Sequence, residues 1–342
     1  MSGAPYRVDR DLRLPIVDLA GLGAAADAGD AEALGRLGGG FDAAFREFGF
    51  CYIVNHGVDR TVIDGAFAMS AAFHALPLDE KQRIAINRAH RGYMAMATSV
   101  IVTSSIEKAV KPNLSESYLL MHEVAPGDES GPLDGPNQWP TRPAGFRAAI
   151  GAYDASLQRL GRRMTRMIAV ALGLPPDGLD RHFQRPTTFL RLLHYPPMPV
   201  AADEKQYGSA PHTDYGFITI LAQDKAGGLQ VRSRDHAWID ATPLEGAFVV
   251  NVGDMGSRWT NGRWPSTPHR VINRSGGDRY SMPYFYDPAA SETISCLPTC
   301  CSAADPPRFE PVRYGDYLMA RIDANYAYRK GASGPSTPQR QH

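Results

Sequence analysis

Leu34, Leu37, Phe41, Phe45 and Phe48 recur at steps of three and four, the spacing of one apolar helical face. Phe50-Cys-Tyr-Ile-Val54 then reads as a short strand, and Asn55-His-Gly57 supplies turn chemistry. A second helix is expected over 59–75, stopped before Pro77. Residues 91–143 are rich in Gly, Pro, Ser and Asn and read as irregular, with short extended pieces. The most regular stripe is Phe146, Ile150, Tyr153, Leu157, Leu160, Met164, Met167 and Ala171. It predicts one long helix over 143–172 that backs onto a core. Arg159, Arg162, Arg163 and Arg166 lie off that seam, and Gly173 with Pro175 ends it.

Past Pro186 the period changes. Segments 187–195, 217–222, 228–232, 248–252, 269–273 and 279–286 are short and β-branched or aromatic, with turn residues between them. Many short strands at such spacing predict a sandwich or barrel. The expected fold class is therefore mainly β with flanking α-helices. Residues 1–120 form a mixed, largely helical region, residues 121–330 the β core with its backing helix, and 331–342 a tail of disordered composition.

Composition narrows the function classes. Lys+Arg and Asp+Glu both number 36, so the formal net charge is zero. That argues against a nucleic-acid partner, which would call for a basic surplus, and gives no support for attachment to an anionic membrane. No apolar run is long enough to span a bilayer, and residues 1–13 lack the apolar stretch of a secretion signal. Cytoplasmic residence is the expectation. The four cysteines, Cys51, Cys296, Cys300 and Cys301, fit a reducing compartment as plain thiols. The last three are close in sequence but lack a fourth ligand at zinc-site spacing.

Chemistry enters at Pro211-His-Thr-Asp-Tyr-Gly216. In an extended segment, side chains two apart share a face, so His212 and Asp214 could reach one metal. Alone, a His-x-Asp pair is better explained by a solvated surface. His269, in Ser266-Thr-Pro-His-Arg-Val-Ile272, adds a second imidazole in a strand-like setting. Two His and one carboxylate occupy one face of an octahedron and leave three positions open, the facial triad of non-haem iron oxygenases. Arg279-Tyr-Ser281 follows ten residues later. A guanidinium inside a β core is costly unless paired, and a carboxylate ligand gripped by its fork, with Ser281 adding a hydrogen bond, removes that cost.

In this order and spacing, His212-x-Asp214, His269 and Arg279-x-Ser281 resemble the signature of the 2-oxoglutarate/Fe(II) oxygenases of the isopenicillin N synthase-like superfamily. Leu14-Pro-Ile-Val-Asp-Leu19, Phe45-Arg-Glu-Phe-Gly-Phe50, Arg91-Gly-Tyr93, Gly227-Gly-Leu-Gln-Val231, Asn251-Val-Gly-Asp254 and Tyr314-Gly-Asp-Tyr-Leu318 extend the likeness over about 12–327. The resemblance implies a double-stranded β-helix, or jelly-roll, wrapped by N- and C-terminal helices. It implies Fe(II), 2-oxoglutarate and O2 as cofactor and co-substrates, with oxidative decarboxylation to succinate and CO2 coupled to hydroxylation, desaturation or ring closure of a small organic metabolite. Tyr195, in Arg191-Leu-Leu-His-Tyr-Pro196, would join Arg279 and Ser281 on the distal carboxylate; Leu193 stands where many relatives carry Asn. His194 is expected to face away from the site. Tyr93, Phe285 and residues 100–106 are the substrate-contact candidates. A monomer or homodimer is expected. An oxidase that keeps the iron but not 2-oxoglutarate, and a catalytically silent ligand or metal sensor, stay open at this point.

Overall fold

The structure, a computed structural model, describes residues 6–7, 13–101, 106, 111–128, 131–199 and 205–330. The first strand, β1 (Ile16–Asp18), leads into helices α1 (Leu22–Ala28) and α2 (Ala31–Phe48). The Asp30 side chain accepts from Ala33 N at 3.0 Å and so starts α2. Gly49, at φ 67°, ends it in the left-handed conformation that favours glycine. Strand β2 (Phe50–Val54) follows, then α3 (Arg60–His74) and α4 (Leu78–Gln82). Pro77 sits just before α4, as the sequence requires.

The stretch read as irregular contains two strands, β3 (Gly92–Met94) and β4 (Glu116–Met121). Every residue of β4 is buried, so it shows no polar–apolar alternation, and its polar Glu116 and Ser117 obscure it further. The long helix is α5 (Phe146–Ala171), with the expected stripe buried from Phe146 to Met167 and Ala171 half-buried at its end. It begins three residues later than predicted, after Gly145 in the left-handed region.

The second half supplies β5 (Thr187–Tyr195), β6 (Ser209–His212), β7 (Ile218–Gln223), β8 (Leu229–Arg232), β9 (Trp238–Asp240) and β10 (Phe248–Val252). A one-and-a-half-turn helix α6 (Asp254–Trp259) precedes β11 (His269–Val271) and β12 (Arg279–Asp287). A small β13–β14 pair (Thr293–Ile294, Val312–Arg313) and helices α7 (Tyr314–Asn325) and α8 (Ala327–Lys330) complete it. Eight strands form one sheet in the order β1-β2-β10-β7-β12-β5-β4-β3, and a second sheet runs β6-β11-β8-β9.

The two sheets make the jelly-roll. Period-2 alternation sorts each long strand of the large sheet. Leu190 and Leu192 of β5 and Met282, Tyr284 and Tyr286 of β12 join the core under α2, α3 and α5. Leu193 and Tyr195, with Leu221 and Val249, face Leu229, Val231 and Val271 of the small sheet. A Cβ on Gly161 of α5 would lie 2.6 Å from the Tyr286 ring, so the backing helix lies directly on β12. The inside of the roll is thus lined by alternate residues of β5 and β12, beginning with Tyr195, Leu193 and Arg191 on one and Arg279, Ser281 and Pro283 on the other. No described helix is long and apolar enough to cross a membrane.

Candidate active site

Strands β6 and β11 pair with His269 opposite His212. The pairing brings together two imidazoles from distant parts of the chain, their ring centroids 4.3 Å apart. Asp214 lies beyond the end of β6, just before a bend at 215–217. The expected strand alternation therefore stops at His212, and other contacts aim the carboxylate. Asp254 N, at the start of α6, donates to the Asp214 carbonyl at 2.8 Å, and Met255 N donates to the Gly216 carbonyl at 2.9 Å. The bend is packed without clearance: a Cβ on Gly216 would lie 1.8 Å from Asp287 Oδ1, and one on Gly253 would lie 2.3 Å from the Gly216 carbonyl oxygen. Gly216→Ala is accordingly expected to displace the bend and lower stability by about 2–3 kcal/mol, as overpacking of a filled interior does. Thermal unfolding of the variant checks this.

The three side chains present one atom each to a common point. Asp214 Oδ1 is 3.8 Å from His212 Nε2 and 3.7 Å from His269 Nε2, and all three candidate ligand atoms lie within 4.8 Å of one another. Each is held from behind. His212 Nδ1 lies 2.8 Å from the Ala210 carbonyl and His269 Nδ1 3.2 Å from that of Thr267. Donation from Nδ1–H leaves the Nε2 lone pair facing inward, the tautomer a metal needs. Thr219 Oγ1 and Asn251 Nδ2 donate to Asp214 Oδ2 at 2.5 and 2.8 Å, leaving Oδ1 for the centre. Burial, and then the neighbouring His269, push His212 down to about 4, so its lone pair is open near neutrality. Burial opposes ionisation of Asp214, but the two imidazoles and the two donors outweigh it and hold the carboxyl below its ordinary range.

Arg279 lies further inside the roll and is fully buried. Its Nε donates to the Gly227 carbonyl and its Nη1 to Ser281 Oγ at 3.1 Å, while the guanidinium lies 4.7 Å from the centre of the Tyr195 ring. Nη2 is buried with no hydrogen-bond partner among the described residues. Arg279, Ser281, Tyr195 and Leu193 line one cavity together with His212, Asp214 and His269. A second cavity opens from the same triad edge and is walled by Phe189, Phe285, Leu119, Ile101 and the C-terminal Leu318, Ile322 and Tyr326. The two share His212, Asp214, Arg191, Asn113, Ser209 and Phe285.

Comparison with known proteins decides the family. Residues 186–288 match the sequence profile of the 2OG-Fe(II) oxygenase superfamily, and residues 14–142 match that of the non-haem dioxygenase N-terminal region named for morphine synthesis. A 2-oxoglutarate-Fe(II) type oxidoreductase, hxnY, of Emericella nidulans is 34% identical over 297 residues, covering 82% of this chain and 84% of that protein. The chain belongs to the 2-oxoglutarate/Fe(II) oxygenase family. A homoarginine-6-hydroxylase of Arabidopsis thaliana is 32% identical over 335 residues, 92% of this chain and 98% of its own. A full-length Neurospora crassa protein, crystallised in complex with alpha-KG and thymine, superposes with a TM-score of 0.80 at 29% identity, covering 93% of this chain and 98% of that one.

This oxygenase uses Fe(II), 2-oxoglutarate and O2 on a small-molecule substrate. Its residues suit that set. Three inward ligand atoms of N, N and O type fit a ferrous ion, and the orphaned Nη2 of Arg279 is a donor waiting for an anion in the same cavity.

Among the residues predicted as substrate contacts, Phe285 lines both cavities and stacks on Phe189, with ring centres 4.2 Å apart. Of residues 100–106, Ile101 lines the second cavity, and 102–105 lie outside the described residues. Tyr93 does not reach either cavity. On the short strand β3 it points to the helical side of the large sheet, where its hydroxyl donates to Glu116 Oε2 and its ring meets Phe73. Met94, its neighbour, takes the inner face. His194 also faces outward, as expected, bonded to Glu116 and Asp278 at 2.8 and 2.9 Å. Lys81 completes this cluster, 2.8 Å from Glu116 with both side chains buried. Burial alone would raise the Glu116 carboxyl, but hydrogen bonds from His194, Lys81 and Tyr93 pull it down to about 2. The folded value thus lies below the ordinary 4.5, so the stabilisation is present above that pH and is lost as pH falls through about 2. Glu116→Gln is expected to lower stability by about 2 kcal/mol at neutral pH. The gap to the native chain should close between pH 4.5 and 2, read as unfolding temperature against pH.

Sequence reasoning missed Thr219, Asn251, Asp287 and Arg191. Asn251 and Arg191 stood inside quoted motifs, and the alternation Arg191-Leu193-Tyr195 already put the Arg on Tyr195's face.

Proposed function

We propose that His212, Asp214 and His269 hold the ferrous ion and that Arg279 and Ser281 grip the distal carboxylate of 2-oxoglutarate, with the Tyr195 ring keeping the guanidinium in place. Bound there, iron, 2-oxoglutarate and O2 together supply an oxidant for a C–H bond while the keto acid is converted to succinate and CO2. The chain's own residues orient and exclude. The Ala210 and Thr267 carbonyls fix the imidazole tautomers, Thr219 and Asn251 fix the rotation of the Asp214 carboxylate, and Arg279 sets the depth to which the keto acid enters. Phe285, Phe189 and Ile101 wall the compartment in which a small organic metabolite presents one C–H bond for hydroxylation, desaturation or ring closure, and they keep water from it.

The observation that carries this reading is the fully buried Arg279 with one unpartnered nitrogen, in the cavity that also holds the three convergent ligand atoms. A buried guanidinium short of a partner is costly, and a co-substrate carboxylate removes that cost. Anaerobic titration with Fe(II) and then 2-oxoglutarate tests it. A visible metal-to-ligand charge-transfer band should grow to one equivalent of each; no band in the presence of both would reject the assignment.

The named relatives act on or bind dissimilar molecules, homoarginine and thymine among them, so they do not converge on one substrate here. We further read residues 121–330 as the catalytic core and 1–120 as its support. The zero net charge speaks against a nucleic-acid partner or an anionic membrane surface, and we further read the chain as a cytoplasmic monomer or homodimer.

A further inference from the structure

Arg191 stands at the seam between the two cavities, beside His212, Asp214 and Phe285. It is on the inner face of β5, four residues before Tyr195. Among the described residues its polar partners are neutral: Nε donates to Ser117 Oγ at 3.0 Å, and Nη2 lies 3.5 Å from Met94 Sδ. Two carboxylates line the same cavities, and both are engaged elsewhere. Asp214 Oδ2 is taken by Thr219 and Asn251, and its Oδ1 faces the imidazoles. Asp287 accepts from Phe217 N at 2.6 Å and from the Tyr314 hydroxyl at 2.5 Å. An arginine cannot shed its charge, and a half-buried cation without a counter-ion invites one.

Charge accounting, resting on the site reading above, says where that counter-ion comes from. A ferrous ion and Arg279 carry three positive charges; Asp214 and a 2-oxoglutarate dianion carry three negative ones, and Asp287, the other carboxylate at these cavities, is closed off by Phe217 N and the Tyr314 hydroxyl. The loaded site is then neutral, and Arg191 is left over. Beyond it the wall carries the stacked Phe189–Phe285 pair, with His90 edge-on to Phe189, beside the polar Ser99, Asn113 and Asn325.

We propose that Arg191 is the specificity-determining residue of this oxygenase and selects a substrate carrying one carboxylate on a planar ring or ring-bearing skeleton. The fork holds the carboxylate by two parallel hydrogen bonds, the ring lies against Phe285, and the carbon to be oxidised is turned toward the triad.

The test uses the full-length chain loaded anaerobically with Fe(II) and 2-oxoglutarate. Dissociation constants are measured by calorimetry for three matched pairs: benzoate and benzamide, phenylacetate and phenylacetamide, cinnamate and cinnamamide. In the native chain at least one acid should bind roughly tenfold or more tighter than its amide, the worth of a charge-assisted pair. In Arg191→Met the preference should shrink to within about threefold while the affinity for 2-oxoglutarate stays within about threefold of native. Arg191→Lys, which keeps the charge but not the fork, should recover part of the preference. Equal binding of acids and amides, or no binding of any acid at millimolar concentration, would overturn the proposal. So would a tenfold loss of 2-oxoglutarate affinity in Arg191→Met, which would put this Arg in the co-substrate grip. Failure of the native chain to bind 2-oxoglutarate at all would instead sink the site reading, so the two failures are told apart.

Discussion

Asp214→Ala is expected to abolish Fe(II) binding and succinate release together. The carboxylate supplies the only negative charge among the three inward ligand atoms, and its second oxygen is already committed to Thr219 and Asn251. Removing it leaves two neutral imidazoles, which bind Fe(II) weakly, and also two buried donors without an acceptor. Loss of an outer contact to a ligand costs about 10- to 100-fold in metal affinity; loss of the ligand itself should exceed that and take turnover to background. His212→Ala should do the same. The two readouts are metal content after anaerobic loading and succinate formed per mole of protein. Full activity in either variant would reject the ligand assignment. Asp214→Asn separates charge from shape, because the amide keeps the outline and the Thr219 contact; it should still fall well below native iron affinity.

Arg279→Met is expected to act on the co-substrate. The side chain is fully buried beneath the Tyr195 ring and donates to Gly227 and Ser281, with Nη2 spare. Breaking one half of a buried ion pair costs about 3–5 kcal/mol, which is roughly 150- to 4,000-fold in the dissociation constant of 2-oxoglutarate. Iron binding should survive, because none of the three ligand side chains touches Arg279 in a hydrogen bond. Arg279→Lys should recover little: an ammonium is a point donor, and it cannot hold Gly227, Ser281 and a carboxylate at once. The check is a Kd for 2-oxoglutarate from the anaerobic visible band, and an unchanged value would rule the role out.

Much of this was legible in the residues because it depends on spacing. The stripe from Phe146 to Ala171 fixes α5 within three residues at its start, and alternation in 187–195 and 279–286 matches β5 and β12. Arg279 and Ser281 could be placed on one face by counting alone. Asp214 illustrates the limit. Its partnership with His212 was inferred from strand alternation, yet β6 ends at His212. The carboxylate is aimed by the α6 N–H groups, by Thr219 and by Asn251, contacts between segments far apart in sequence that no local pattern carries. Strand β4 was covered only by the expectation of short extended pieces, for a related reason: it is buried along its whole length. Tyr93 was taken from the resemblance alone, and a three-residue strand offers no alternation long enough to correct it; register with Tyr118 of β4 sends the ring to the Phe73 side. Arg191 was within reach of the counting argument. What alternation could not reveal was that no described carboxylate closes on it.

Anomalous diffraction at the iron edge, from crystals grown anaerobically with Fe(II) and 2-oxoglutarate, addresses the central claim most directly. One strong peak should appear within bonding distance of His212 Nε2, Asp214 Oδ1 and His269 Nε2, with the keto acid's far carboxylate against Arg279 Nη2. A peak bonded to fewer than these three side chains, or a keto acid lying away from Arg279, would contradict it.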